Sequence, residues 1–154
     1  MLMSNWFECK VRLERTLEGG VRKRVNELWL VNAVSFTDAE GRVVRELAPL
    51  STESPVVLNM KRATYTEMFT AGADAAHWYK AKLLFVTIDE KGQEKRTPNV
   101  LLVQGSDFVD ALRRLQEGMR GSMADYEIHT LQESGITDML EMQVEVGRRP
   151  ADQA

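Results

Sequence analysis

The chain resembles itself when it is shifted by 72 residues, and this internal similarity constrains its fold more than any other feature. Residues 6–47 and 78–119 share 12 identical positions out of 42, where ordinary composition gives about two or three by chance. The identical pairs are Trp6/Trp78, Lys10/Lys82, Glu18/Glu90, Gly20/Gly92, Lys23/Lys95, Arg24/Arg96, Leu30/Leu102, Val31/Val103, Phe36/Phe108, Asp38/Asp110, Ala39/Ala111 and Arg42/Arg114. This repeat indicates two copies of one supersecondary unit.

Each copy begins with the pattern of a β-hairpin. Apolar and polar residues alternate over 7–14, and this period of two predicts a half-buried strand. Gly19 and Gly20 tolerate positive φ angles and predict the turn, after which a second strand occupies 22–32. The second copy predicts a strand from Tyr79, a turn at 89–92 and a returning strand over 97–104.

A helix and a third strand follow each hairpin. The segment 37–40 has capping-box spacing, which makes Thr37 the expected cap of the first helix, and Ser106 is the expected cap of the second. Gly118 or Gly121 should end the second helix, because glycine tolerates the left-handed C′ conformation. The buried faces are predicted to be Phe36, Ala39, Val43 and Leu47, and then Phe108, Ala111, Leu112, Leu115 and Met119. The third strands are expected over 56–65 and 124–131.

These elements predict an α+β fold built as a tandem ββαβ repeat with a pseudo-two-fold axis. We expect one antiparallel or mixed sheet of about six strands with two helices packed on one face. A unit of about 70 residues buries little alone, so the two copies should share a core. The predicted domain is single and spans 1–146, with repeats at 5–65 and 77–133 joined through an Ala/Gly-rich stretch and followed by a C-terminal extension. Residues 147–154 are predicted to form a frayed tail.

Composition excludes several classes of protein. The net charge of −3 gives no global excess of positive charge for nucleic acid, and the single cysteine cannot form an intramolecular disulfide. No apolar run approaches the roughly 20 residues that cross a bilayer, and the N-terminal residues lack the pattern of an export signal. We therefore expect a cytoplasmic protein that does not associate with membranes.

A search for catalytic motifs finds structural explanations instead. Cys9 lies on the apolar face of its strand, which favours a small buried hydrophobe over a nucleophile. The acidic pairs Asp107/Asp110 and Asp38/Glu40 fall in first turns of helices, where carboxylates complement the helix dipole. No metal-ligand spacing or phosphate-binding loop is present in the sequence. The sequence therefore predicts neither an enzyme, nor a cofactor, nor a metal site.

The polar face of the two hairpins suggests a ligand. Strand alternation places aromatic and basic residues together, and such surfaces bind single-stranded DNA or RNA by stacking bases and contacting phosphates. The candidate nucleic-acid-binding residues are Trp6, Lys10, Arg12, Lys23, Arg24, Trp78, Lys80, Lys82, Lys95 and Arg96.

Two other interpretations remain open. The tryptophans could pack under a helix or loop, and the lysines could belong to an ordinary solvated sheet face. A protein–protein adaptor or homo-oligomer is the alternative function, since methionine-rich surfaces adapt to partners. Its candidate apolar stripe is Ile136, Met139, Leu140, Met142, Val144 and Val146. An enzyme is a third hypothesis, without any motif in its favour.

Four segments resemble an uncharacterised family of short proteins from Bacteroidota and their phages, a domain of unknown function. These segments are 5–11, 33–40, 78–82 and 117–126, and the resemblance extends over about 5–140. It implies a cytoplasmic bacterial or phage protein of one domain. It brings no catalytic residues, because none is assigned in the family. The phage members favour a role in handling nucleic acid, by association only.

Overall fold

The computed structural model describes residues 5–72 and 75–141. In chain order the elements are β1 (Asn5–Thr16), β2 (Arg22–Ala33), α1 (Phe36–Leu47), β3 (Val56–Ala63), β4 (Glu67–Phe69), β5 (His77–Ile88), β6 (Glu94–Gly105), α2 (Phe108–Gly118), β7 (Asp125–Glu133) and β8 (Ile136–Leu140). They divide into two compact units. Unit 1 contains the described residues up to 63 and from 138, and unit 2 contains those from 64 to 137.

Two four-stranded sheets form the α+β fold. The strand orders are β3-β1-β2-β8 and β4-β6-β5-β7, so the predicted single sheet of about six strands was wrong. Six strands match the predicted ones, while β4 and β8 had no prediction. β4 pairs with β6 in parallel, and β8 lies beside β2. Because α1 packs on β1 and β2 and α2 packs on β5 and β6, the expected placement of both helices on one sheet face was also wrong.

The core of unit 1 lies between the β1–β2 hairpin and α1. Alternate residues of β1 point under the helix and are fully buried, as the period of two predicts. The core comprises Phe7, Cys9, Val11, Leu13, Trp29, Val31, Ala33, Ala39, Val43 and Leu47. Phe36 contacts the Phe7 ring at 4.8 Å between centroids but remains partly exposed, since it lies in the first turn of α1.

Unit 2 has a core of its own between the β5–β6 hairpin and α2. It comprises Tyr79, Ala81, Leu83, Leu101, Val103, Ala111, Leu115 and Met119. Among the residues that the structure describes, each of the two clusters draws its buried members from one unit, so the predicted shared core was wrong. A single 12-residue helix is sufficient to cover the apolar face of one hairpin near its centre.

The two hairpins use the same pairing register. Asn5 pairs with Ala33 in the first hairpin and His77 pairs with Gly105 in the second, and both members differ by 72 residues. The third strand of each sheet also shifts its register at matching places, after Lys10 in β1 and after Lys82 in β5. Two bulges at matching positions give the two sheets a similar local irregularity.

The helix caps differ from the predicted ones. Ser35 caps α1, where its Oγ accepts the N–H of Asp38 at 3.0 Å, so Thr37 is already helical. Asp107 caps α2, where its carboxylate accepts the N–H of Asp110 at 2.8 Å. In both helices an aspartate at the third helical position accepts a backbone N–H from before the cap, which completes a capping box with Asp in place of Glu. The predicted end of α2 at Gly118 is confirmed.

Some predictions fall outside the described part of the chain. The frayed tail at 147–154 and three members of the apolar stripe, Met142, Val144 and Val146, lie there. The remaining stripe residues belong to β8, where Leu140 packs against the core of unit 1. The single domain over 1–146 stays a prediction.

Two glycines give a matched test of the helix-on-sheet packing. A Cβ at Gly105 would lie 2.8 Å from the backbone of Ala111 in α2, whereas a Cβ at Gly41 inside α1 would meet nothing within 4 Å. We expect Gly105→Ala to lower the free energy of unfolding by about 1–3 kcal/mol through overpacking. Gly41→Ala should raise it by about 1 kcal/mol through helix propensity. Urea unfolding followed by circular dichroism measures both, and unchanged stability of Gly105→Ala would contradict the close approach.

Candidate functional site

The predicted nucleic-acid-binding residues of each hairpin lie on the sheet face opposite the helix. In β1, Trp6, Lys10 and Arg12 alternate with the core residues. In β5, the corresponding face contains Trp78 and Lys82, together with Lys80, whose Nζ lies 5.9 Å from the centre of the Tyr65 ring. The structure therefore confirms the shared faces within each strand.

The centres of these faces are buried. Leu30 and Leu102 are fully buried, Glu8 is 5% exposed and Trp78 is 4% exposed, while Trp6 is half-buried. The Trp78 ring therefore has no open face on which a base could stack. The signal for this burial was the continuous apolar runs 28–31 and 100–103, because strands buried on both faces lack alternation.

The exposed basic residues fall into two groups. Arg24 pairs with Glu53 at 3.3 Å, and Arg96 pairs with Glu94 at 3.3 Å and Glu127 at 3.1 Å, so neighbouring carboxylates offset these charges. No ion pair within residues 5–72 and 75–141 involves the exposed side chains of Lys10, Arg12, Lys23, Lys82 and Lys95. The assignment of the ten residues to nucleic acid stays a prediction.

A cavity of about 480 Å³ opens in unit 2, just beyond the C-terminal end of α2. Its apolar lining consists of Phe69 from β4, Phe85 from β5, Leu101 from β6 and Met119 after α2. Polar groups from Thr66, Glu67, Arg120 and Ser122 complete the lining. A concave site with an apolar floor and a few polar groups is the usual form of a binding site.

The cavity depends on how β4 approaches α2. Phe69 packs against Gly118, where a Cβ would lie 2.8 Å from the phenyl ring, so any larger residue would displace the ring. The chain then turns at Gly121, whose φ of 91° is left-handed and suits glycine. Sequence reasoning missed this site, because a three-residue strand has no detectable periodicity and the Phe69–Gly118 contact joins distant parts of the chain.

The ionisable groups favour structural roles. Burial raises the pKa of the Cys9 thiol to about 11, with a smaller contribution from Glu40, so the neutral thiol is the stable form at neutral pH. The Arg114 guanidinium and the Ser106 backbone N–H hold the pKa of Asp110 well below its usual range. Asp110 is thereby committed to the helix cap as a carboxylate. In the part of the chain that the structure describes, no group of three His, Cys, Asp or Glu residues is placed to hold a metal ion.

A family model matches residues 5–142, which is about nine-tenths of the chain. The chain belongs to the family "Domain of unknown function (DUF4494)". The family resemblance drawn from the sequence is therefore confirmed as membership of an uncharacterised domain family, while its range among bacteria and phages stays a prediction. Among curated proteins, none matches this DUF4494 chain. Neither helix described for this DUF4494 domain is long and apolar enough to cross a membrane.

Proposed function

We propose that this DUF4494 protein is a non-enzymatic interaction module whose unit 2 binds an extended segment of another protein. An apolar side chain of that segment would enter the cavity beyond α2, and its backbone would lie along β4. The observation that supports this proposal is the apolar cavity of about 480 Å³ beside an edge strand.

The edge strand supports a peptide rather than an isolated small molecule as the ligand. β4 is the last strand of its sheet, and within residues 5–72 and 75–141 no strand pairs with its outer edge. A free edge offers backbone hydrogen bonds to an added strand, and an adjoining pocket selects its side chains. Glu67 and Phe69 both line the cavity, so the cavity lies on the side of β4 to which alternate side chains point.

The cavity suits one large apolar side chain. Its volume falls within the roughly 300–1,000 Å³ of ordinary ligand pockets. Burying one Leu, Phe or Met side chain contributes about 1.5–3 kcal/mol. A short peptide with one such anchor should therefore bind weakly, with a Kd of about 1 mM to 100 μM.

The internal repeat supports the wider account of the protein. We infer that the two halves arose by tandem duplication of a ββαβ unit. The matching hairpin registers, the matching register shifts and the 12 identities all support this origin. The pseudo-two-fold axis, the cytoplasmic location and the bacterial or phage origin stay predictions.

Methyl NMR on methionine-labelled protein tests the interaction module. The probes are five-residue Thr/Val peptides whose central residue is leucine, phenylalanine, tryptophan or alanine. We expect the three peptides with a large central residue to shift the Met119 methyl resonance in a saturable manner, because Met119 lines the cavity. Met60, which packs on the core of unit 1, is the internal control.

The alanine peptide should give shifts at least about fivefold smaller at equal concentration, because it buries little apolar area. If none of the large-residue peptides shifts Met119, the proposed function is wrong. Loss of the Met119 signal on raising the protein concentration without peptide would instead indicate a second copy of the chain as the occupant.

Single-stranded nucleic acid is the second candidate. The supporting observation is that Lys10 and Arg12 are exposed on one face of β1 and have no ion pair among the described residues. Against it stand the buried Trp78 and the net charge of −3. The binding would therefore rest on phosphate contacts and depend strongly on salt.

Fluorescence anisotropy with labelled oligo-dT tests this candidate. If it is correct, the wild type binds at micromolar concentration in 50 mM salt, and the double variant Lys10→Ala/Arg12→Ala binds about tenfold more weakly. The matched control is Arg24→Ala, since Glu53 already neutralises that side chain. No binding by the wild type at 50 mM salt, or equal binding by both variants, would contradict it.

A further inference from the structure

Unit 1 contains an indole at the position that corresponds to the cavity wall of unit 2. Trp29 is 7% exposed and belongs to the core of unit 1. Its Nε1–H donates to the Glu27 carboxylate at 2.9 Å, and Glu27 in turn accepts two hydrogen bonds from Arg15 at 2.8 and 2.9 Å. The ring is thus held both by packing and by a charged acceptor.

The same register position in unit 2 is occupied by a smaller side chain. Trp29 pairs with Cys9 across the first hairpin, and Leu101 pairs with Ala81 across the second, each 72 residues further along. Leu101 lines the cavity. Replacing an indole by an isobutyl group at this place removes an aromatic ring from the interior of unit 2.

The connection after the helix differs in the same sense. Eight residues, 48–55, join α1 to β3, and six residues, 119–124, join α2 to β7. The longer connection is tied to β1, because Thr52 donates its backbone N–H to the carbonyl of Glu14 at 2.9 Å and the Ser51 hydroxyl accepts the N–H of Glu14 at 3.0 Å. Unit 1 therefore closes the space beyond its helix with chain and indole, and unit 2 leaves a cavity there.

We propose that the cavity of unit 2 selects an indole ring, so that the partner segment anchors itself through a tryptophan side chain. This inference rests on the proposed function and on the correspondence of the two halves. The ring would take the place in unit 2 that Trp29 takes in unit 1. Tryptophan is also the side chain that most often anchors protein interfaces, because it buries a large area at a low cost in conformational entropy.

An acceptor for the indole N–H is available at the cavity. Glu67 lines it and is exposed, and the described residues show no ion pair or hydrogen bond that occupies its carboxylate. It would act towards the partner's indole as Glu27 acts towards Trp29. A carboxylate acceptor distinguishes tryptophan from phenylalanine, whose ring has no N–H to donate.

The test compares affinities within the same peptide series. We expect the tryptophan peptide to bind the wild type about tenfold more tightly than the leucine peptide, by the Met119 methyl titration. Glu67→Gln should weaken the tryptophan peptide about fivefold and leave the phenylalanine peptide unchanged. Glu90→Gln, in the β5–β6 turn and exposed, is the matched control and should leave both unchanged.

Filling the cavity from within gives an independent readout. Leu101→Trp should abolish binding of the tryptophan peptide while retaining the wild-type circular dichroism spectrum; if it does not fold, the Glu67→Gln and Glu90→Gln titrations decide alone. If the leucine peptide binds as tightly as the tryptophan peptide, the indole preference is wrong and the interaction module stands. If no peptide binds, the proposed function fails first.

Discussion

A helix of 12 residues cannot cover a hairpin whose strands each contain 12 residues, and the rest of this structure depends on that mismatch. At 1.5 Å per residue α1 spans about 18 Å, whereas at 3.3 Å per residue β1 spans about 40 Å. More than half of the apolar face of each hairpin therefore extends past its helix. Each unit has to cover that remainder in another way.

The two units resolve the mismatch differently. Unit 1 uses the buried Trp29 and the connection that hydrogen-bonds to Glu14. Unit 2 has Leu101 and a shorter connection, and a cavity remains beside Phe69. After a duplication, one copy can keep a closed core for stability while the other becomes free to bind a ligand. The proposed indole specificity follows from this difference between the copies.

Each sheet is completed by a strand from the opposite half of the sequence. β4 follows β3 in the chain but belongs to the sheet of unit 2, where Phe69 packs against the core. β8 follows β7 but belongs to the sheet of unit 1, where Leu140 packs against the core. Cutting the chain between residues 72 and 75 would thus leave each sheet dependent on a strand from the other fragment.

The sequence predicts local structure well and the assembly of the strands poorly. Alternation over 7–14 identified β1 and its buried face, and Gly19 and Gly20 identified the turn, because these signals depend on neighbouring residues. Two sheets in place of one could not be predicted, since periodicity shows which face is buried and not which strand pairs with which. The cavity depends on the contact between Phe69 and Gly118, which are 49 positions apart.

Hydrogen exchange measured by mass spectrometry on Phe69→Ala and Leu140→Ala tests most directly whether each half completes the sheet of the other. Loss of a packed side chain lowers the protection of the elements against which it lies. The account predicts faster exchange in β5 and β6 for Phe69→Ala, and faster exchange in β1 and β2 for Leu140→Ala. Faster exchange in β1 and β2 for Phe69→Ala, with β5 and β6 unchanged, would contradict the strand exchange and the origin assigned to the cavity.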